Sequence, residues 1–437
     1  MSDYMFMLEN HLSSDQNRVV ADVQAAAGAA GVNVFLAGGA MRDVLGGFQV
    51  RDLDFSVEGN ALKVAKTLAS EAGVRTLSVD EDRRSAELVF PGGVTVQVSM
   101  ARTERFPKMG GKPRVAPATI QEDLRGRDFT VNAIALSLNR ASRGLLLDPT
   151  NGLADLERRE LRMLATSSFS DDPVRLFRLV RLRARLGFTA EARTAQYYDQ
   201  ARAAGYQSYI SPAALREELK QISSESNPAE IIQTLEQDGL LAAISPALTG
   251  AKLNAAGMAR LERALRLFPA GMPVPRLGPF LYALSEKLSP REKSDLAKAT
   301  QMSRSDVELW QKLETRARKL ENSLKSARIR KPSQVYQILA AAASEEILFL
   351  LYHSPLKPVQ ERIRNYLQKY IPLVQEVPPE ELEPADAKPG TPRYQKAKEA
   401  LLALRLDRRV RTPAPLLPSS GAIALPVAAP KGRVSAQ

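Results

Sequence analysis

The sequence predicts an α+β protein: an N-terminal head that alternates helices with strands, then a long remainder that is helical. From Val19 to about Leu164, an alanine-rich helix leads into the strand-like VNVFLA, a helix from Met41, the strand-like LDFSV, a helix through Ala72, and then ELVF and VTVQVSM. From Ala165 to Pro355 helical periodicity takes over, with breaks at Gly187, Pro212, Gly239, Pro246 and the segment FPAGMPVPRLGP. At 437 residues the chain has room for about three domains of ~150 residues each. After Tyr370 the composition shifts to VPPEELEPADAKPGTP, followed by the basic helical stretch YQKAKEALLALRLDRRVR. From Thr412 onward Pro, Ala and Ser dominate without periodicity, which reads as disorder.

Charge narrows the class of partner. Lysine and arginine total 61 against 49 acids, a net charge of +12, and a cationic excess attracts polyanions over long range. There is no cysteine, so disulfides and thiolate metal sites are excluded. His11 and His353 are the only histidines, too few for an all-histidine metal centre or for a histidine-rich metal-dependent phosphohydrolase site. Any metal therefore belongs on carboxylates. The start MSDYMFMLENHLSSDQ lacks the pattern of a secretory signal, and no apolar run approaches the ~20 residues of a membrane span, so the expectation is a cytoplasmic protein.

Two local patterns suggest phosphate chemistry. VNVFLA runs into Gly38 and Gly39 and then AMRDVLGG, so two glycines sit where a strand turns into a helix N-terminus, a place where backbone amides face phosphates. In RDLDFSV, Asp52 and Asp54 alternate with Leu53 on a strand and share one face, which suits a pair of hard oxygen ligands for Mg²⁺. Either pattern alone is common in proteins without such a site. Together they supply what metal-assisted phosphoryl transfer needs.

GGAMRDVLGGFQVRDLDF resembles the head signature of class II tRNA nucleotidyltransferases (CCA-adding enzymes) and the related bacterial poly(A) polymerases, of the polymerase β superfamily. The resemblance continues in order through RGRDFTVNAIAL, DPTNGLADL, DDPVRLFRLVRLRARLGF and, weakly, PGTPRYQKAKEALLALRLDRRVRT. It implies a polymerase-β-like nucleotidyltransferase head with a small mixed sheet, followed by an all-α neck, body and tail. The corresponding boundaries are an N-terminal extension at 1–18, a catalytic head at 19–164, a base-selecting neck at 165–225, a body at 226–375, an RNA-binding tail at 376–412 and a disordered end at 413–437.

The resemblance also implies roles. Gly38, Gly39 and Arg42 would meet the triphosphate, Asp52 and Asp54 would be catalytic and hold Mg²⁺, and Arg127 and Asp128 would frame the nucleotide and its ribose. The alternative for Arg127 and Asp128 is a buried pair that ties strand to helix. Asp171 or Asp172 is expected to cap a helix with Pro173 in its first turn, which places Asp172 and Arg175 three apart on one face. Cytosine and adenine both present an amino donor beside an unprotonated ring nitrogen, so a carboxylate next to a guanidinium matches either base, and uracil and guanine reverse that polarity. In the resembled family this is the role of the residues matching Asp172 and Arg175. Arg178 and Arg181 continue the stripe with no acid between Pro173 and Phe188 to neutralise them, so they are expected to meet a polyphosphate or an RNA backbone.

The implied activity is template-independent addition or repair of the 3′-terminal CCA of tRNA from CTP and ATP. Poly(A) tailing, A-only or CC-only addition, and non-catalytic RNA binding remain as alternatives. The long basic segment TERFPKMGGKPRVAPATIQEDL corresponds to a flexible loop that accompanies terminal A addition in the family. Four positions depart from the family pattern: Gln97 where a third carboxylate is usual, Gly126 for the first arginine of the RRDFT block, and Ala213 and Ala214 for Glu and Arg. Asp171 for Glu is a milder change.

Overall fold

A computed structural model describes residues 3–269, 271–378 and 391–411; the expected disordered end at 413–437 and most of the Pro- and Glu-rich segment lie outside the described residues. The chain forms two compact units, one of residues 1–266 with 273–316, the other of 267–272 with 317–437.

The first unit opens with α1 (Asp3–His11) and α2 (Ser14–Ala30). Ser13 and Gln16 close a reciprocal capping box at the start of α2, and Gly31 ends it with φ +69°. Then come β1 (Asn33–Ala37), α3 (Gly38–Gly46), β2 (Asp52–Glu58), α4 (Ala61–Ala69), β3 (Arg75–Asp80), β4 (Ser85–Val89) and β5 (Thr95–Met100). After β6 (Arg102–Arg105) and β7 (Arg114–Pro117) follow α5 (Ile120–Arg125), β8 (Ala135–Ser137), β9 (Leu146–Leu147) and α6 (Gly152–Arg158). Seven strands form one mixed sheet in the order β3-β4-β5-β2-β1-β8-β9, with β2 parallel to β5 and the other neighbours antiparallel.

Period-two alternation gives β2 its orientation: Leu53, Phe55 and Val57 are buried on one face, so Asp52, Asp54 and Ser56 belong to the other. Helices α2 and α4 pack on each other and on the sheet. The helix after the glycines begins at Gly38 rather than Met41, and the helix expected through Ala72 ends at Ala69. Strand β3, with no counterpart in the sequence expectation, lies exposed at the sheet edge and carries only Leu77 and Val79 as alternating apolar residues. The expected flexible loop is in part a two-stranded hairpin, with Arg102 opposite Pro117 and Arg105 opposite Arg114.

The strand β10 (Glu160–Leu161) leads to α7 (Ser168–Asp171) and α8 (Arg175–Leu186); β10 pairs with β11 (Thr189–Ala190), and α9 (Ala192–Ala203) and α10 (Pro212–Ser224) follow. The helix expected to open at Asp171 or Asp172 thus starts later, after a separate short helix. Asp172 ends α7, α8 starts at Arg175, and no side chain caps it. Ser211 and Pro212 start α10 by the expected means, a side-chain cap and a first-turn proline. Helices α11 (Pro228–Gln237), α12 (Ala255–Leu265), α13 (Leu277–Ser285), α14 (Pro290–Ala299) and α15 (Arg304–Gln311) complete this unit with the opening of α16 (Leu313–Leu324). Trp310 is buried there, and its indole N–H donates to Ser285 Oγ at 2.9 Å, so the largest side chain of this core leaves no polar atom unpaired.

The second unit holds the remainder of α16 with α17 (Pro332–Ala340), α18 (Ser344–His353), α19 (Lys357–Asn365), α20 (Ile371–Gln375) and α21 (Pro392–Arg411). The basic helix α21 docks on α17, where Asp407 accepts hydrogen bonds from Ser333 N and Oγ, both at 3.0 Å. Among the described residues, no single helix is long and apolar enough to cross a membrane.

Two glycines of the head differ in what they permit. At Gly152 a Cβ would collide with the Thr130 carbonyl oxygen, whereas at Gly126, which is right-handed, it would meet only ordinary contacts at 3.5 Å and beyond. Gly152→Ala is expected to lower stability by about 1–3 kcal/mol and Gly126→Ala to change it by less than about 1 kcal/mol. Denaturant melts of the two variants check this, and equal midpoints would contradict it.

Candidate active site

The turn from β1 into α3 places the glycines against β2. Gly38 has φ +67°, and a Cβ on it would lie 2.5 Å from Arg127 Nη1 and 3.4 Å from Asp54 Oδ2. At Gly39 a Cβ would lie 3.3 Å from Asp54 Oδ2 and 3.6 Å from Arg42 Nη2. The strand-to-helix turn, a carboxylate of β2 and two guanidiniums therefore converge, and Gly38 is required both for its left-handed backbone and for that close approach. The Gly38 amide is occupied by the Ile134 carbonyl at 3.2 Å, so the amides left to face an anion begin at Gly39.

Asp52 is exposed and Asp54 half-buried on the same face of β2. Burial and the neighbouring Asp52 charge push the Asp54 carboxyl up to about 6, against the pull of Arg127 and Arg42. Burial also raises Asp52, opposed by Arg185 and Arg51. Two carboxylates that resist ionising side by side are what a divalent cation relieves. Among the described residues no group of three or more potential ligands is assembled, so the protein itself offers this pair. Gln97 stands directly across from Asp54 on β5 and Glu87 across from Gln97 on β4, so the place beside the pair on β5 carries an amide.

Four of the five arginines of the predicted site, Arg42, Arg127, Arg178 and Arg181, are engaged with protein carboxylates. Arg42 is buried; its Nε and Nη2 donate to Asp43 Oδ1 at 2.9 and 2.7 Å and its Nη1 to Asn132 Oδ1 at 2.8 Å. Arg127 Nη2 donates to Asp123 Oδ2 at 2.9 Å and to Ser56 Oγ at 3.0 Å. Asp128 accepts from Phe129 N at 2.7 Å, Asn132 Nδ2 at 2.9 Å and Arg178 Nη1 at 2.8 Å. Burial alone would raise the Asp128 carboxyl, but the Arg178 and Arg175 charges with the hydrogen bonds from Arg178 and Asn132 hold it well below the usual carboxylate range.

Arg178 and Arg181 correct the expectation that only a polyanion neutralises them. Arg178 is paired with Asp128, and Arg181 with Glu218 at 2.5 Å and Glu225 at 3.3 Å. Carboxylates distant in sequence, on the head and on and just after α10, do what no acid within α8 does. Glu225 also pairs with Arg51 at 2.8 Å, and Arg185 of α8 pairs with Asp43 at 2.5 Å. Asp43, Asn132, Glu218 and Glu225 were missed as site residues. Asn132 lay inside the RDFTVNA block and Asp43 beside Arg42, whereas nothing local distinguished Glu218 or Glu225 from solvated acids.

On the neck, Asp172 and Arg175 do neighbour each other, with Asp172 Oδ2 3.9 Å from Arg175 Nε. That is too long for a hydrogen bond and leaves the pair open. A carboxylate and a guanidinium fixed side by side present an acceptor and a donor at once.

The Poly A polymerase head domain family matches residues 34–162. An A-adding tRNA nucleotidyltransferase of Aquifex aeolicus (strain VF5) is 38% identical over 202 residues, 46% of this chain and 24% of that protein. The chain thus spans less than two thirds of the length of the A-adding relatives it matches. A CCA-adding enzyme of Bordetella bronchiseptica (strain ATCC BAA-588 / NCTC 13252 / RB50) is 30% identical over 338 residues, 72% of this chain and 84% of that protein. The solved Thermotoga maritima CCA-adding enzyme complexed with tRNA_CCA is similar at a TM-score of 0.51 and 26% identity, over 93% of this chain and 95% of that one. With these likenesses spanning head and helical region alike, the chain belongs to the CCA-adding tRNA nucleotidyltransferase family.

Proposed function

We propose that this protein is a template-independent tRNA nucleotidyltransferase that adds or repairs the 3′-terminal CCA from CTP and ATP, releasing pyrophosphate. The observation that carries the reading is the convergence of Gly38, Gly39, Arg42, Asp54 and Arg127 where β1 ends and β2 begins. Asp52 and Asp54 would hold Mg²⁺, which would supply Lewis-acid polarisation and neutralise charge developing on the phosphates. The α3 amides from Gly39 onward face the triphosphate, and Arg42 and Arg127 add positive potential from positions locked by Asp43, Asn132 and Asp123. Arg127 and Asp128 shape the floor beneath the ribose.

Above it, Asp172 accepts from the exocyclic amino group of C or A, and Arg175 donates to the adjacent ring nitrogen. Arg178 and Arg181 act through the carboxylates they hold rather than by touching phosphate. The RNA 3′ hydroxyl oxygen bonds to the α-phosphorus as the bond to the leaving pyrophosphate breaks. We place the reaction in the cytoplasm, where tRNA and nucleoside triphosphates meet, and assign α21, with Lys396, Lys398, Arg405 and Arg408, to the RNA backbone. The sequence boundaries of head, neck, body and tail are retained as the division of labour. A-only addition is the second reading, favoured by the similarity to an A-adding protein.

Three tRNA transcripts, ending at the discriminator base, after one C and after two, are offered labelled CTP, ATP, GTP or UTP with Mg²⁺. Ordered C, C, A addition is expected, with Asp52→Ala slowing it about a thousandfold or more. Extension of the third transcript alone, by a single A, would assign the narrower activity, and no incorporation at all would overturn the reading.

A binding measurement tests the metal independently of turnover. The raised Asp54 carboxyl means that the native state holds more protons than the unfolded chain between about pH 4 and about pH 6. Stability therefore falls as pH rises through that window, and the strain stays fully present above it. In chelator at pH 7.5, Asp54→Asn is expected to melt higher than the parent protein. Mg²⁺ is expected to raise the melting temperature of the parent and not of the variant; the same Mg²⁺ shift in both would remove Asp54 from the metal site.

A further inference from the structure

The Asp172 and Arg175 pair stands open, and the reason lies one helical turn earlier. Arg175 Nη1 donates to Ser168 Oγ at 2.8 Å, with both residues buried. The Ser168 carbonyl oxygen accepts the Asp172 amide at 3.2 Å. One residue on the short helix α7 therefore anchors both halves of the pair, the carboxylate through the backbone and the guanidinium through the hydroxyl. Arg175 Nη2 also lies 3.5 Å from the Gly126 carbonyl, and Nε is buried with no hydrogen-bond partner among the described residues.

A guanidinium and a carboxylate three residues apart would ordinarily close on each other through parallel N–H donors. Here Ser168 takes one end of the fork, and the nearest approach to Asp172 stays at 3.9 Å. A closed pair would satisfy itself and present neither donor nor acceptor to a base. Where the family carries an arginine at 126, this chain has a glycine, and its carbonyl is the second group beside the guanidinium.

We infer that Ser168 is a positioning residue for nucleotide selection: its hydroxyl and carbonyl hold Arg175 and Asp172 apart in the geometry that reads C and A and rejects U and G. The inference rests on the nucleotidyltransferase reading and adds to it the group that sets the selectivity. Ser168 touches no nucleotide in this scheme.

The test is single-nucleotide incorporation into the transcript lacking CCA, comparing kcat/KM for CTP with that for UTP in the parent protein, Ser168→Ala and Ser168→Cys. The cysteine keeps nearly the size of serine and replaces its oxygen with a weak acceptor, so it separates lost hydrogen bonding from lost packing. The preference for CTP over UTP is expected to fall about tenfold in both variants. A purely structural role would slow CTP and UTP in proportion and leave their ratio unchanged, and Ser168→Cys would then resemble the parent. If the parent selects C over U and either folded variant keeps that ratio within about twofold, the inference is overturned while the enzyme reading stands. If the parent incorporates no nucleotide, the enzyme reading fails and takes the inference with it.

Discussion

The arrangement depends on how the arginines of α8 are neutralised once they are carried inside. A buried charge is tolerated only when paired and hydrogen-bonded, and removing one partner leaves the other stranded at a cost of several kcal/mol. Arg178 reaches Asp128 of the head, Arg185 reaches Asp43 beside the glycine turn, and Arg181 reaches Glu218 and Glu225, the latter joined in turn to Arg51 next to Asp52. Each pair crosses between helix α8 and a different part of the chain. Asp172 and Arg175, around the start of α8, and the carboxylates of β2 are thus fixed relative to each other by charge pairing as well as by the apolar residues Leu176, Phe177, Leu179 and Val180 that α8 buries.

The same pairing explains what the sequence could and could not reveal. The β1 turn, the Asp52 and Asp54 face and the Asp172 and Arg175 spacing were legible because each is local: period two places the carboxylates together and a separation of three places the pair together. Strand β3 was not legible, since its apolar alternation is only Leu77 and Val79, too short to stand out from a solvated edge, and the hairpin of β6 and β7 hid within a stretch whose Gly and Pro content signals a loop. The fate of Arg178 and Arg181 was misread for a different reason. Their partners lie about 37 to 50 residues away in the sequence, and nothing in the α8 segment announces them. Ser168 belongs to the same class, a serine in a run of serines until its hydroxyl is seen against a guanidinium.

The departures from the family pattern divide on inspection. Ala213 and Ala214 sit in the first turn of α10 after its Ser211 cap, where alanine is an ordinary helix residue. Gly126 adopts a backbone conformation open to any residue, and nothing in the backbone accounts for the glycine. Gln97 differs from these because its position beside Asp54 bears on the chemistry: an amide there adds no negative charge to two carboxylates already reluctant to ionise.

The chain of charges Arg181, Glu225 and Arg51 carries a consequence for how such a protein can change over generations. The buried Glu225 is tolerable only while a guanidinium faces it, whereas Arg181 keeps Glu218 and Arg51 is partly exposed, so a lineage that loses both arginine partners first passes through a weakened ancestor before a further replacement restores balance. Drift at these positions should therefore proceed in correlated steps, with head and neck exchanging residues together. A graft of a foreign neck onto this head would inherit the mismatch at once, even where every side chain of the candidate site was preserved.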